Sequence, residues 1–399
     1  MPYPPVDGGA IAIFNMAVGF YELGNDVSIL SMNTRKHYYN VEKIPDEIKS
    51  KFKFYTVDIN TDIIWYKALI NLLFSKKPYN AVRFIKNKFK KQIIELLQSE
   101  KFDLIQIEGL YILPYTDVIR KYSNAIISYR AHNIEHEIWE RTVLQEQSFL
   151  KRKYLKILSN RLKKFEVKYL NTYDVLVPIT KRDEKKFIEL GNIKPVHTTQ
   201  TGLNLKKFEL PHQDIEFPSI FHIGALDWGP NQEGLKWFIE NIWKDIYKEN
   251  PDLSFSIAGR NAPLWLIEYF QKIDGIKYYG EVKDAYLFMA SKAVMIVPLL
   301  SGSGMRIKII EGMAMGKAII STSIGAEGIS CIHNKNIIIA DTVQQFKDAI
   351  KLIVKNRNEI EKIGKNAREF IYKSFDIKLI TENLIEFYSE IIHQKNQTE

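Results

Sequence analysis

The residues best suited to chemistry lie between Val297 and Gly328. Ser301-Gly302-Ser303-Gly304 follows the apolar run Val294–Pro298 and precedes Ile307–Met315, whose pattern predicts a helix. A glycine-rich loop between strand and helix leaves backbone N–H groups free and sets a helix dipole behind them, an arrangement that holds phosphate. Arg306 and Lys308 sit where the helix begins, so two cations would neutralise a diphosphate leaving group. Glu311, one turn on, would accept hydrogen bonds from two ribose hydroxyls. Gly-x-Gly alone reads equally as a surface turn; two bases, an acid and Gly316 in one segment favour phosphate.

A second candidate centre is Arg130-Ala131-His132-Asn133-Ile134-Glu135-His136, directly after the apolar run Ala125–Tyr129. Ligands of parallel α/β sheets bind at the carboxyl ends of strands, which makes His132 a functional candidate with Arg130 beside it. The same position makes Glu108, after Asp103–Ile107, a candidate acceptor contact; a solvated loop acid is the alternative. His132 and His136 have the helical spacing of metal ligands, but no His-Glu-x-x-His or neighbouring cysteine accompanies them. A structural histidine is the other alternative. Asp-x-Asp occurs nowhere, so no metal or other cofactor is expected, with protein cations and a helix dipole in place of a divalent ion. Trp228 and Trp237 are possible sugar platforms, although Trp237 falls at helical spacing with Gly234 and Asn241 and suits core packing better. Cys331 reads as a buried small residue rather than a nucleophile.

Such groups need rigid elements behind them. Short apolar runs at 26–31, 103–107, 125–129 and 174–178 read as buried strands, as do 219–223, 254–258, 293–298, 318–321 and 336–339. Helical patterns alternate with them at 11–23, 83–98, 231–243, 285–289, 307–315 and 342–356. Alternation of this kind predicts an α/β chain with two Rossmann-like parallel-sheet domains. The expected division is a first domain over 1–200, a linker over 201–213, a second domain over 214–375, and a C-terminal helix over 376–399 that packs back on the first. The turn-rich opening Pro2-Tyr3-Pro4-Pro5-Val6-Asp7-Gly8-Gly9 leads straight into an apolar helix. In a doubly wound domain such a loop follows the first central strand, yet only Met1 precedes it. Either the sheet lacks that strand or the native start lies upstream, and the second reading is preferred.

The chain has 399 residues, 46% hydrophobic and 12% aromatic, enough for two cores and too rich for a disordered chain. It shows no run of about 18 uncharged apolar residues and no basic-then-apolar leader, and its single cysteine suits a reducing cytoplasm. The net charge of +9 is unevenly spread. Lys76–Lys91 is rich in lysine without an acid, and Lys151–Lys168 has Glu166 alone among its bases. Either these are solvated helix faces, or they form a basic surface for anionic lipid head groups or a lipid-diphosphate acceptor. No zinc-ligand spacing or aromatic RNA-binding motif supports nucleic acid.

The run VPLLSGSGMRIKIIEGMAMGKAIISTSIGAEGI resembles the donor-binding segment of glycosyltransferase family 4, retaining enzymes of GT-B fold. PYPPVDGGA, IGALDWGPNQEGLKWF, Ala258-Gly259 and Gly280–Asp284 match in the same order, so the resemblance spans nearly the whole chain; 36–100 and the extreme C-terminus match weakly. It implies that Gly8 and Gly9 form a loop facing the diphosphate and acceptor, with Gly9 at the reacting centre. Gly224 would close the donor domain's first strand and Asn231 open the helix behind it. Glu281 and Val282 would line the base pocket, and Gly302, Ser303, Gly304 and Met305 the donor loop. Arg306 and Lys308 would bind diphosphate, Glu311 the ribose, and His132 would stand close to the transferred sugar. Two departures stand out. The family's Glu-x7-Glu pattern ends at Glu311 but begins here with Ser303, and a basic residue usual after the first donor strand is missing from GALDWGPNQ.

The resulting expectation is a cytoplasmic enzyme, peripheral on the inner face of the plasma membrane in one reading. It would move a sugar from a nucleoside-diphosphate donor to a hydroxyl of a glycan or lipid-linked glycan, with closure of the two domains excluding water. A catalytically weak sugar-nucleotide-binding scaffold of a polysaccharide assembly complex and a GT-B-like nucleotide-sugar epimerase are the alternatives.

Overall fold

The computed structural model describes residues 1–209, 214–302 and 304–398. The chain divides into two compact units, Met1–Gly202 with Ile377–Glu399, and Leu203–Asp376. Every strand pair in both is parallel, as the alternation of short apolar runs and amphipathic helices requires.

In the first unit β1 (Val27–Thr34) pairs with β2 (Phe52–Ile59), and β3 (Leu104–Glu108), β4 (Ile126–Ala131) and β5 (Val175–Pro178) form a separate three-stranded sheet. The middle strand β4 is buried along its whole length, which explains its unbroken apolar character. Its core joins Ile107, Ile127, Tyr129 and Leu176 to Phe89, Leu162 and Phe187 from the covering helices. Helix Gly8–Glu22 opens on an Asp7 cap whose carboxylate accepts from the Ala10 N–H at 2.9 Å. The C-terminal helix Ile377–Thr398 lies so close to it that a Cβ on Gly19 would stand 2.2 Å from Thr381 Oγ1.

The second unit holds one six-stranded sheet in the order β11-β10-β9-β6-β7-β8. Its strands are β6 (Glu216–Ile223), β7 (Ser254–Ala258), β8 (Ile276–Gly280), β9 (Lys292–Val297), β10 (Ala318–Ser321) and β11 (Ile338–Ile339). Strand order reverses between β6 and β9, the place where an open α/β sheet leaves a crevice at its carboxyl edge. Within 201–213, Leu203, Leu205 and Phe208 are buried, and Leu203 bridges to Asp376; 210–213 lie outside the described residues.

Candidate functional site

Two loops flank the β6/β9 reversal: Gly224–Trp228 after β6, and Pro298–Arg306 after β9. Helix Gly229–Phe238 follows the first and helix Ile307–Ala314 the second. The glycines allow close approach. A Cβ on Gly234 would stand 2.2 Å from the Pro298 carbonyl oxygen, so the first helix packs directly on the end of β9. Gly302, at φ +106°, faces Trp228 and Arg306, and a Cβ there would crowd both.

Lys308 is the centre of this region. Its ammonium donates to Asn231 Oδ1 at 2.9 Å and approaches His222 Nε2 at 3.3 Å. The tautomer follows from the other ring nitrogen: His222 Nδ1 lies 3.1 Å from the Ile296 carbonyl oxygen, so it carries the proton and donates. Nε2 is therefore the acceptor for Lys308. Burial, then the Lys308 charge, holds the wholly buried His222 well below its ordinary value, so the ring is neutral. Asn231 is oriented in turn by donation from Nδ2 to the Ala225 carbonyl at 2.8 Å. A Cβ on Gly224 would meet Asn231 and Lys308 at 3.0 and 3.2 Å, so only glycine leaves their approach open. Burial and, less, the Arg306 guanidinium bring Lys308 down to about 7. Among the described residues no ion pair joins Lys308 to a carboxylate.

Arg306 is buried, packs 5.5 Å from the Trp228 ring centroid and donates to the Gly304 carbonyl. Ser301, at the loop's start, donates to Glu233 at 2.6 Å. Glu311, one turn after Lys308, accepts from the Tyr286 hydroxyl at 3.2 Å. Burial pushes its carboxyl up to about 7, against the lowering effects of Tyr286 and Lys207. Tyr286 stands in helix Ala285–Ala290, whose Asp284 cap accepts from the Tyr286 and Leu287 N–H groups.

In the first unit the carboxyl ends of β3 and β4 bring Glu108, Arg130 and His132 together. His132 Nε2 lies 2.6 Å from Glu108 Oε2, and Arg130 Nη1 lies 3.5 Å from the same oxygen. Gln106 donates to Glu108 Oε1 at 2.6 Å, and fully buried Arg130 also donates to the Ala12 carbonyl at 3.1 Å. Burial alone would raise Glu108, but Arg130 and His132 outweigh it and hold the carboxyl below its ordinary range. His136 turns to a different partner, Glu166, at 2.6 Å. The two histidines do not converge, and no cluster of three or more metal-ligating side chains occurs among the described residues.

Residues 217–356 match the family described as glycosyl transferases group 1. The second unit is a group 1 glycosyltransferase domain. Over nearly its full length the chain is similar to the "Uncharacterized 44.6 kDa protein in cps region" of Klebsiella pneumoniae, 24% identical over 403 residues and covering 96% of each chain. Solved structures share the fold. HepE of Anabaena in complex with UDP and glucose aligns with a TM-score of 0.64 and 12% identity over 96% of each chain. Sucrose-phosphate synthase of Thermosynechococcus elongatus aligns at 0.69 and 15%, over 97% of this chain and 94% of that one. TarM of S. aureus with fondaparinux, α-GlcNAc-glycerol and UDP aligns at 0.68 and 13%, over 96% of each. The chain is a glycosyltransferase of GT-B fold.

Within the glycosyltransferase domain the structure gathers Gly224, Asn231, Gly302, Gly304, Arg306 and Lys308 at the β6/β9 reversal, with Met305 buried in the same loop. Glu281 and Val282 follow the edge strand β8, and Tyr286 links that region to Glu311. Ser303 lies outside the described residues. In the first unit Glu108, Arg130 and His132 converge, while Gly8 and Gly9 form the exposed first turn of their helix. Trp237 packs on Phe346, and Trp228 lies under Arg306. Burial raises the Cys331 thiol, which keeps it protonated. Two residues of the glycosyltransferase domain carried no signal in the sequence. His222 reads as one position of a strand, and Tyr286 as one of many tyrosines.

Proposed function

We propose that the second unit binds a nucleoside-diphosphate sugar at the β6/β9 reversal and that the enzyme passes the sugar to a hydroxyl of a glycan or lipid-linked glycan. The observation that carries this reading is the Lys308 ammonium, held by the neutral acceptors Asn231 and His222 next to Arg306. A buried cation held by neutral groups lacks a counter-ion, and a diphosphate supplies it. Charge growing on the leaving diphosphate would meet two pre-positioned cations and the first turn of helix Ile307–Ala314, a metal-independent means of lowering the barrier. Glu311 would accept from the ribose hydroxyls, with Tyr286 fixing its carboxylate. On the acceptor side, Glu108 would fix the tautomer and direction of His132, with Arg130 holding Glu108 in turn.

The family resemblance supports retention of configuration, and UDP in HepE and TarM makes it the first nucleotide to try. The relative's place in a cps region supports assembly of a surface polysaccharide at the inner face of the plasma membrane. Lys76–Lys91 and Lys151–Lys168 would there meet anionic head groups. The test is a radiolabelled transfer assay with a panel of UDP and GDP sugars and a lipid-linked acceptor. Acceptor-dependent incorporation is expected; nucleotide binding with no transfer from any donor would favour the scaffold, and a new sugar nucleotide formed without acceptor would favour the epimerase.

A further inference from the structure

Helix Trp65–Phe74 has its apolar side turned outward. None of its residues is fully buried; Ala68, Asn71 and Leu72 are half-buried and face inward. Trp65, Tyr66, Leu69, Ile70, Leu73 and Phe74 are exposed, Trp65 at 76% and Phe74 at 84%. Spacings of four put 65-69-73 and 66-70-74 on adjacent rows of one face. A helix on an ordinary wet surface shows the reverse pattern, and contiguous exposed apolar side chains mark a contact surface.

Polar contacts fix this helix at its ends. The Tyr79 hydroxyl accepts from the Ile64 N–H at 3.1 Å. Arg161 donates to the Asn71 and Leu72 carbonyls at 3.1 and 2.8 Å; the first also accepts from the Ser75 N–H at the helix end, and the second is a C-terminal acceptor for which Arg161 supplies the donor. The backbone is thus anchored while the outer face is left uncovered.

Charge selects the partner. From Ile63 to Ile94 the chain carries eight Lys or Arg and no acid. Helix Phe149–Tyr169, which supplies Arg161, carries eight more against Glu166 alone, and that acid is buried against His136. Phe149, Lys153, Ile157 and Arg161 share one face of that helix, with Phe149 exposed and the Lys153 ammonium 4.4 Å from its ring centroid. An apolar strip within a strongly cationic field, whose nearby acids Asp62 and Glu146 are paired with Arg35 and Lys151, matches an anionic bilayer surface. Lysines meet head groups, the Trp and Tyr of the first turn suit the interface, and Leu, Ile and Phe enter the acyl boundary. A second copy of the chain would instead bring like charge against like. No helix among the described residues is long and apolar enough to cross a membrane, which leaves an in-plane arrangement.

We infer that Trp65–Phe74 is an in-plane anchor that inserts into an anionic bilayer surface. This deepens the proposed function, resting on its membrane contact but not on its donor chemistry, by adding insertion to a contact otherwise made by lysines. The test is co-sedimentation of the full chain with phosphatidylcholine vesicles, with and without phosphatidylglycerol. Binding to the anionic vesicles alone is expected. Leu69→Ser with Leu73→Ser and Phe74→Ser should weaken it at least about tenfold and leave a remainder that salt elutes. Trp65→Phe, which keeps an apolar aromatic ring at that position, should abolish the blue shift in emission on vesicle addition. Unchanged binding by the triple serine variant would overturn the inference in favour of lysine contact alone. Self-association that the same variant removes, without vesicle binding, would overturn it in favour of a second copy. UDP affinity measured in parallel is expected to be unaffected; absence of UDP binding in the wild type would count against the donor site and not against the anchor.

Discussion

Each unit buries a cation at the carboxyl edge of its sheet, and the two are compensated differently. Arg130 in the first unit has its counter-charge in the fold: Glu108 accepts from it and also from His132. Lys308 in the second has two neutral acceptors and a second cation, Arg306, nearby. A buried charge matched from within belongs to the architecture and orients its neighbours, here His132. One matched only by neutral groups pays a desolvation cost in the free protein, which an incoming anion relieves. The first arrangement is suited to holding a side chain in place, the second to holding a ligand.

The largest expected effect breaks the second arrangement alone. Arg306→Ala with Lys308→Ala should reduce turnover about 10³-fold, corresponding to about 4 kcal/mol of leaving-group stabilisation. Steady-state transfer within tenfold of wild type would sink the assignment. Glu108→Gln should do the converse. Leaving Arg130 without its carboxylate should cost about 3 kcal/mol in urea unfolding and leave UDP affinity unchanged. Because the folded Glu108 carboxyl is held low, its stabilisation is present above the ordinary carboxylate range and lost as pH falls through the folded value. Variant and wild-type stabilities should therefore converge in acid; a constant gap would argue against an ionic role.

Glu311→Gln should produce a smaller, two-sided change. UDP affinity should fall about tenfold, or about 1.4 kcal/mol, from loss of the ribose acceptor. Stability should meanwhile rise above about pH 7: the folded carboxyl is pushed up to about 7 from 4.5, so it costs stability as pH climbs between those values. Calorimetric melts across that window check the sign.

Legibility of the fold followed burial. Strands β7 and β10, buried throughout, appear in the sequence with the same bounds as in the structure, because covered parallel strands are unbroken apolar runs. The edge strands β2 and β8 escaped notice because Lys53, Asp58 and Lys277 interrupt them on their wet sides. The helical pattern at 83–98 is a helix only from Asn87 to Ser99; Arg83, which turns to the Thr61 carbonyl, lies between it and the short helix Tyr79–Val82. Helix 231–243 starts earlier, at Gly229 with Pro230 in its first turn, and runs on through a π-helical stretch at Ile239–Trp243 to Glu249. At the site, Arg306, Lys308 and Glu311 stood out because one loop and one helix turn suffice to juxtapose them. His222 did not, since it meets Lys308 across 86 residues only through the pairing of β6 with β9.

The central claim, that Lys308 awaits a diphosphate, is tested most directly by calorimetric titration of UDP at about pH 8 in two buffers of different ionisation enthalpy. Lys308 sits near 7 in the free protein, so a diphosphate that requires its charged form must draw a proton onto it. Wild type should take up more protons on binding than Lys308→Met, and the variant should bind at least about tenfold more weakly. Equal affinity and equal proton counts in the two proteins would contradict the account.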